Sequence, residues 1–526
     1  MAEQPQESVP AADKLGADEK PKSFSHQEHA KDETVEFADL QITYDSNGIK
    51  GILNSPFVCG AALLASFGGF SFGYDQGVIS LILVMPQFVD QFPEVDKNAP
   101  NYGFNTGFLT GMLELGAFIG CLFFPYIADK ISRKWAISVA TGFFCIGAII
   151  QTASQNYDSL VAGRFIGGIA PPNLRGSLMV LEAISIVVGA IVAYWITYGT
   201  RAVSGDWAFR LPFLLQMLPA LVVGGGIHFF PFSPRWLALA DRNEESLECL
   251  AKLRRLPATN ETVQLEWRGI LAEDRFQKQI LLKEHPDTGA VMMEFKQWVD
   301  LFRPRYLRRT FVAMAIPFFN SSLGQDYETS LILSGMVNIF QFIGSVPIIL
   351  YMDKFGRRRL AIFGGLAMGI PHIIMAGIVG RFSSNWPAHK GVGWFGVALI
   401  YIYILAYAMS YGPLGWVLPA EIFPSSRRAK GVGLATAVNW LANFIIGTIV
   451  PQMLVSIGWG TFLFFGVFCA LAALFSFFFV PETSNRSLEQ VASVFGDNLA
   501  ADEVELRSRI DREIWAETSA RAQVHV

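Results

Sequence analysis

A short charged segment that occurs twice constrains what this chain can fold into. It spans residues 129–134 with the sequence DKISRK, between the apolar runs 103–128 and 136–153. The segment returns at residues 353–359 as DKFGRRR, again between apolar runs. One acid and several bases between two apolar runs are typical of a cytoplasmic turn that joins two transmembrane helices. Its recurrence predicts a chain made of two related halves.

The composition favours a protein that crosses the bilayer many times. Of the 526 residues, 52% are hydrophobic and only 16% are charged, and each spanning helix needs about 20 apolar residues. The formal net charge of −4 does not indicate a nucleic-acid partner. The sequence contains no metal-ligand spacing among its five cysteines, no nucleophile–base pair and no phosphate-binding glycine loop, so we expect no metal, no cofactor and no catalytic residues.

The apolar runs predict an all-α membrane protein with twelve spans, of which two are short. Leu160–Ala170 stops at two prolines, and Phe311–Phe319 is followed at once by an Asn-Ser-Ser segment. Eleven helical residues reach about 17 Å, which is less than the hydrocarbon thickness of about 30 Å. The full-length runs are 56–84, 103–128, 136–153, 178–198, 211–232, 331–351, 360–380, 392–418, 432–457 and 461–480.

Lys and Arg concentrate in alternate loops, which predicts that both termini and the central loop are cytoplasmic. The predicted organisation is a disordered cytosolic tail (1–53), an N-terminal helix bundle (54–232), a cytoplasmic linker with short helices (233–309), a C-terminal bundle (310–480) and a cytosolic tail (481–526). In the linker, residues 244–255 and 263–282 have the periodicity of amphipathic helices.

The order of these motifs resembles the sugar porters of the major facilitator superfamily, and most closely fungal hexose and disaccharide permeases. The resemblance covers about residues 55–495 and includes PFSPR at 231–235 and its counterpart PET at 481–483. It implies the major facilitator fold, with two pseudo-symmetric six-helix bundles and a central site that opens alternately to each side. It also implies a monomer in the plasma membrane, with a sugar, a proton and the lipid bilayer as partners.

Asp75 is an acid inside the first apolar span, and a buried intramembrane acid is a functional hypothesis by default. Its natural partner is Arg164, the only base in the short fourth span. A carboxylate that loses its proton when an arginine approaches and regains it when they part can couple protons to transport. The resemblance places an acid and a base at these positions in proton symporters. The alternative is a structural pair that ties two helices together.

A second set of charged residues lies at the cytoplasmic helix ends. Opposite charges there can pair when the bundles close and separate when they open, which resembles the inside latch of the family. The alternative is that these residues only set the orientation in the membrane through their positive charge. This explains the bases but does not require the acids. The predicted gate consists of Asp129, Arg133, Lys134, Arg175, Arg235, Asp353, Arg357, Arg358, Glu421, Arg427, Arg428 and Glu482.

A sugar site needs amide or hydroxyl groups and an aromatic face around a shared cavity. The resemblance indicates Asn338, Trp416, Asn439, Trp440 and Asn443 as substrate-binding residues. Ordinary packing in the protein core is the competing interpretation of these residues, above all for Asn338 and Trp440. The Gln-rich segment that supplies much of the sugar site in the family's seventh helix is absent, as is the latter part of the fourth helix.

Three explanations of this pattern stay open. The chain is a proton-coupled sugar transporter, or a sugar sensor or inactive paralogue that has lost part of its site. Alternatively, the written sequence omits two coding segments of an ordinary permease, because both losses lie inside helices and leave the flanking motifs readable. Half-length spans leave backbone groups to be satisfied in lipid, so we expect the literal sequence to fold poorly.

Overall fold

A computed structural model describes residues 56–170, 179–286, 288–322, 331–484, 491, 495 and 499–524. Every regular element within these ranges is a helix. The predicted N-terminal tail (1–53) and Arg175 lie outside the described residues, as does the side chain of Asp353.

The first half forms helices close to the predicted spans. They are α1 (Pro56–Ile82), α2 (Pro86–Gln91), α3 (Tyr102–Ile131), α4 (Arg133–Ala153), α5 (Tyr157–Gly168), α6 (Met179–Thr200), α7 (Trp207–Leu215) and α8 (Met217–Gly226). The predicted span 211–232 is divided between α7 and α8 at Gln216. The cause is Pro219, which has no N–H to donate to the carbonyl group four residues earlier.

The linker contains α9 (Pro234–Leu239), α10 (Asn243–Arg254), α11 (Glu261–Glu284) and α12 (Ala290–Asp300). The second half follows as α13 (Pro304–Ser322), α14 (Leu331–Phe355), α15 (Arg357–Phe382), α16 (Lys390–Ala408), α17 (Tyr411–Ile422), α18 (Arg428–Ile457) and α19 (Trp459–Phe479). The predicted span 392–418 is broken between α16 and α17, because Pro413 cannot donate a hydrogen bond to the carbonyl group of Met409.

By length and apolar composition, six helical stretches of the described residues are able to cross a bilayer. One of them, Arg357–Ile422, is long enough to contain α15, α16 and α17. The two spans predicted to be short are not among the six, and neither are the predicted full-length spans 56–84, 178–198 and 331–351. α5 has 12 residues, which corresponds to about 18 Å. α13 begins at Pro304, upstream of its predicted apolar run, and its first turns carry arginines.

Small residues allow the helices within the first half to approach closely. A Cβ at Gly73 would overlap the backbone of Ile186, and a Cβ at Gly189 would overlap the carbonyl oxygen of Phe70. Gly73 lies on α1 whereas Ile186 and Gly189 lie on α6. Each of these two helices therefore has a glycine against which the backbone of the other helix packs. Glycine at such contacts is typical of helix packing in membranes.

The two halves meet along α3 and α18, and also along α6 and α14. Three glycines of α3 at four-residue spacing, Gly103, Gly107 and Gly111, face α18. They lie against Gln452, Thr448 and Phe444 respectively. Spacing of four places the glycines on one helical face, and this face closes the two halves together at the beginning of α3 and the end of α18.

The described part of the C-terminal tail contains a helix that the sequence analysis did not anticipate, α20 (Leu499–Val524). Ile510 and Ile514 of α20 pack with Ala272 and Phe276 of α11 in one buried cluster. The tail therefore packs on the linker.

Candidate functional site

The structure brings Asp75 of α1 and Arg164 of α5 together, as the sequence predicts. Arg164 Nη1 lies 3.4 Å from Asp75 Oδ1, and each side chain is only 1% exposed. Arg164 Nε also donates to the carbonyl oxygen of Leu109 on α3, at 3.0 Å. Removing one partner of a buried ion pair costs about 3–5 kcal/mol, because the remaining charge is left uncompensated. The pair therefore holds three helices of the first half together.

Asp75 also borders a cavity of about 100 Å³ inside the first half. Its lining includes Ser71 and Phe72 of α1, Phe144 of α4, and Gly168 at the end of α5. Asp75 Oδ2 is shielded from solvent and has no hydrogen-bond partner among the described residues. The end of the short α5 thus coincides with space beside a buried carboxyl group that has an unused acceptor.

A second intramembrane acid, Glu114 of α3, lies near this pair. Gln76 Nε2 donates to Glu114 Oε1 at 2.8 Å, and the Glu114 carboxyl group interacts electrostatically with Arg164 and Asp75. The sequence analysis missed Glu114. The signal was present, because an acid within an apolar run is the same feature that identified Asp75.

The predicted substrate residues of α18 lie where the two halves meet. Trp440 is 3% exposed and packs with Phe72, Ala117 and Cys121 of the first half. The ring centroids of Trp440 and Phe72 are 5.0 Å apart in an edge-on arrangement, and Trp416 of α17 lies 6.1 Å from Trp440. These rings form an aromatic group at the contact between the halves.

The predicted amides lie on two helices, α14 and α18. Asn439 is buried, with 5% exposure, whereas Asn443 is half-buried one turn further along α18. Asn338 is half-buried on α14. The two predicted tryptophans therefore lie near each other, and the predicted amides are distributed over two helices.

The predicted gate residues of the second half form a dense network. Arg357 Nη2 and Nε bond to the two Glu421 carboxylate oxygens at 2.7 and 3.1 Å. The backbone N–H of Arg357 donates to Glu482 Oε1 at 2.8 Å. Arg358 Nη2 donates to the carbonyl oxygen of Phe477 at 2.5 Å. Each of these contacts joins residues of the same half.

In the first half, Lys134 Nζ donates to two backbone carbonyl groups just after α8, at 2.9 and 3.0 Å. Trp236 Nε1 donates to the carbonyl oxygen of Asp129 at 3.1 Å. Arg133 interacts electrostatically with Asp129 and Arg235. The charged turn is thus tied to the beginning of the linker.

Arg427, at the start of α18, connects to the linker instead. Its side chain is 1% exposed and contacts Glu284 of α11 and Asp300 of α12, with 2.9 Å to Asp300 Oδ2. His285 Nε2 lies 2.7 Å from the same Asp300 oxygen. Donor atoms of Glu284, His285 and Asp300 lie within 4.8 Å of one another, but the guanidinium of Arg427 supplies the positive charge there. The Nε of the neighbouring Arg428 is shielded and has no partner within the described ranges.

Comparison with known proteins places these features in a family. Residues 61–495 match the family described as sugar (and other) transporter. The chain is 30% identical over 516 residues to the MFS glucose transporter mfs1 of Aspergillus flavus, with 88% of this chain and 94% of the relative covered. It is 29% identical over 490 residues to the high-affinity glucose transporter of Kluyveromyces lactis, covering 83% and 85%.

Among solved structures, the fold is similar to the inward-open conformation of the xylose transporter XylE from E. coli. The TM-score is 0.64 at 24% sequence identity, and the match covers 82% of this chain and 99% of that chain.

Proposed function

Because this chain belongs to the sugar-porter family of the major facilitator superfamily, an all-α family of integral membrane carriers, we propose that it moves a hexose or disaccharide across the membrane together with a proton. Membership in a transporter family favours transport over enzymatic catalysis. The observation that carries the proton part of the proposal is the Asp75–Arg164 pair, buried at 3.4 Å inside the first half.

The proton step follows from the geometry of this pair. While Arg164 lies beside Asp75, its charge stabilises the carboxylate; when the helices shift and the two groups separate, the carboxylate binds a proton instead. The bond from Arg164 Nε to the carbonyl oxygen of Leu109 links the pair to α3. Since α3 packs on the second half through α18, a movement between the halves is transmitted to the pair.

The substrate path lies between the halves. Trp440 and Trp416 offer aromatic faces for a sugar ring, and Asn439, Asn443 and Asn338 offer donors and acceptors for its hydroxyl groups. Trp440 packs against Phe72 across the interface, so its surroundings change when the halves separate. These five residues are the proposed sugar contacts.

The cytoplasmic charges are the proposed inside gate. In the first half the gate uses the cluster around Asp129, and in the second half it uses the network around Arg357 and Glu421. Arg427 joins the gate to the linker through Glu284 and Asp300. The cytoplasmic end closes when the charged cluster of the first half and the charged network of the second half approach each other.

The remaining parts of the proposal concern organisation. We place bundle boundaries at residues 54–232 and 310–480, with the linker 233–309 and both termini on the cytoplasmic side, as the distribution of Lys and Arg indicates. The protein acts as a monomer in the plasma membrane. Residues 1–53 and 481–526 are its cytosolic tails.

Uptake of labelled sugars by host cells that lack their own carriers tests this function. We expect saturable uptake of a hexose or disaccharide that rises as the external pH falls, with the protein detected in the plasma membrane by surface biotinylation. A protein that reaches the membrane and binds sugar but supports no uptake would contradict transport and would favour the sensor alternative.

A further inference from the structure

The first half contains two intramembrane carboxyl groups and one guanidinium group around the same spot. Asp75 and Glu114 both interact electrostatically with Arg164. Asp75 Oδ2 and Glu114 Oε2 are both shielded from solvent and have no hydrogen-bond partner within the described parts of the chain. Each carboxyl group therefore has one oxygen in use and one oxygen available.

Among the described side chains of α1, α4, α5 and α18, no other charge lies close to this spot; α6, which also packs on α1, carries Glu182, whose side chain lies outside the described residues. Apart from Asp75, α1 contains no charged residue, and α5 has only Arg164 and, at its first turn, Asp158. On α4 and α18 the bases lie in the first turn, at the cytoplasmic end. One positive charge thus faces two acids, and a second buried carboxylate without a counter-charge is costly.

Glu114 differs from Asp75 in its position relative to the second half. It lies three residues after Gly111, on the side of α3 where Gly111 contacts Phe444 of α18. Glu114 is half-buried as a residue although its Oε2 is shielded, whereas Asp75 is fully buried. Glu114 is therefore placed between the interface of the halves and the internal ion pair.

We propose that Glu114 is a second proton-binding group of the transport cycle and shares the charge of Arg164 with Asp75. This inference rests on the proposed proton-coupled function. Separation of the halves brings water to the shielded Glu114 Oε2, where the transported proton binds, and Gln76 holds the carboxyl group through its bond to Oε1. When Arg164 moves away from Asp75, the proton is available to the fully buried acid. Gln76, the chain neighbour of Asp75, is a positioning residue that ties α1 to α3.

The test uses the full-length protein in proteoliposomes with D-glucose as the probe. Glu114→Gln keeps the side-chain size and a partner for Gln76 but cannot bind a proton. Two assays separate sugar movement from coupling: glucose exchange at equal pH, and glucose accumulation driven by a pH gradient. Glu94→Gln, the same change at an exposed acid in the loop before α3, is the matched control.

We expect the wild type and the control to accumulate glucose by up to about tenfold per unit of pH gradient, the limit for one proton per sugar. Glu114→Gln should exchange glucose within about twofold of the wild type but should reach an accumulation ratio close to 1. Infrared difference spectra on glucose binding should lose the C=O stretching band of a protonated carboxyl group in this variant. Glu114→Asp should recover coupling with a shifted pH profile.

Full accumulation by Glu114→Gln with an unchanged pH profile would overturn the role of Glu114 and leave the proposed transport function intact. A wild type that exchanges glucose but never accumulates it would overturn proton symport itself, and the inference with it. If Glu114→Gln does not exchange glucose, the pH profile of glucose accumulation by Glu114→Asp decides between the two outcomes. An altered pH profile supports the proposal, and an unaltered profile rejects it.

Discussion

Gly107 of α3 is a position where one added methyl group should change which side of the protein is open. A Cβ at this residue would overlap the backbone carbonyl oxygens of Gly447 and Thr448 on α18. These atoms belong to helix backbone and cannot rotate away, so Gly107→Ala forces the two helices apart. Overpacking of this kind costs about 1–3 kcal/mol.

The cost applies only to the state in which α3 and α18 are in contact. If the halves separate there when the outer side opens, the substitution favours the outward-open state by a factor of about 5–150, which corresponds to 1–3 kcal/mol. The matched control is Gly142→Ala on α4, where an added Cβ meets nothing within 4 Å. That change should leave the equilibrium between states unaltered.

Labelling from outside with a membrane-impermeant maleimide measures this shift. Asn443→Cys, on the central path, provides the reactive thiol in all backgrounds. We expect Gly107→Ala to accelerate labelling many-fold and Gly142→Ala to have no effect. Equal labelling rates in the Gly107→Ala and unmodified backgrounds would refute the premise that α3 and α18 separate along this glycine face when the outer side opens.

Three further predictions concern other contacts. Arg357→Lys should lower the free energy of unfolding by about 1–3 kcal/mol in a thermal melt, because lysine cannot bond to both Glu421 oxygens; an unchanged melt would contradict this. Ser132→Gly should raise the free energy of unfolding by about 1 kcal/mol, because relief of the strain at its φ of 105° outweighs the loss of the 3.2 Å cap bond from Lys134 N to Ser132 Oγ; a lower melting temperature would refute the strain. A denaturation double-mutant cycle on the exposed Arg275–Glu517 pair should give a coupling of about 0.2–1 kcal/mol that high salt removes; a larger, salt-independent coupling would be inconsistent with it.

The sequence was sufficient for features that depend on local pattern. Apolar runs predicted helices such as α1 and α18 to within a few residues, and an acid and a base in apolar surroundings predicted the pairing of Asp75 with Arg164. The helix break at Pro219 was also readable in the sequence but was not used, because a hydropathy run continues through a proline.

Other features depend on contacts between distant segments. No local pattern pairs Gln76 with Glu114 or Arg427 with Asp300, because these contacts are created by helix packing. α20 is different, since Ile510 and Ile514 have the spacing of an amphipathic face, and its partner surface on α11 became visible only in the fold.

Proton uptake that accompanies sugar entry tests the central claim most directly. Glucose added to proteoliposomes containing the wild-type protein should make the outer solution more alkaline, with about one proton taken up per sugar. Asp75→Asn should abolish this proton uptake while glucose exchange at equal pH continues. A wild type that takes up glucose with no proton movement, or an Asp75→Asn variant with unchanged proton uptake, would contradict the account.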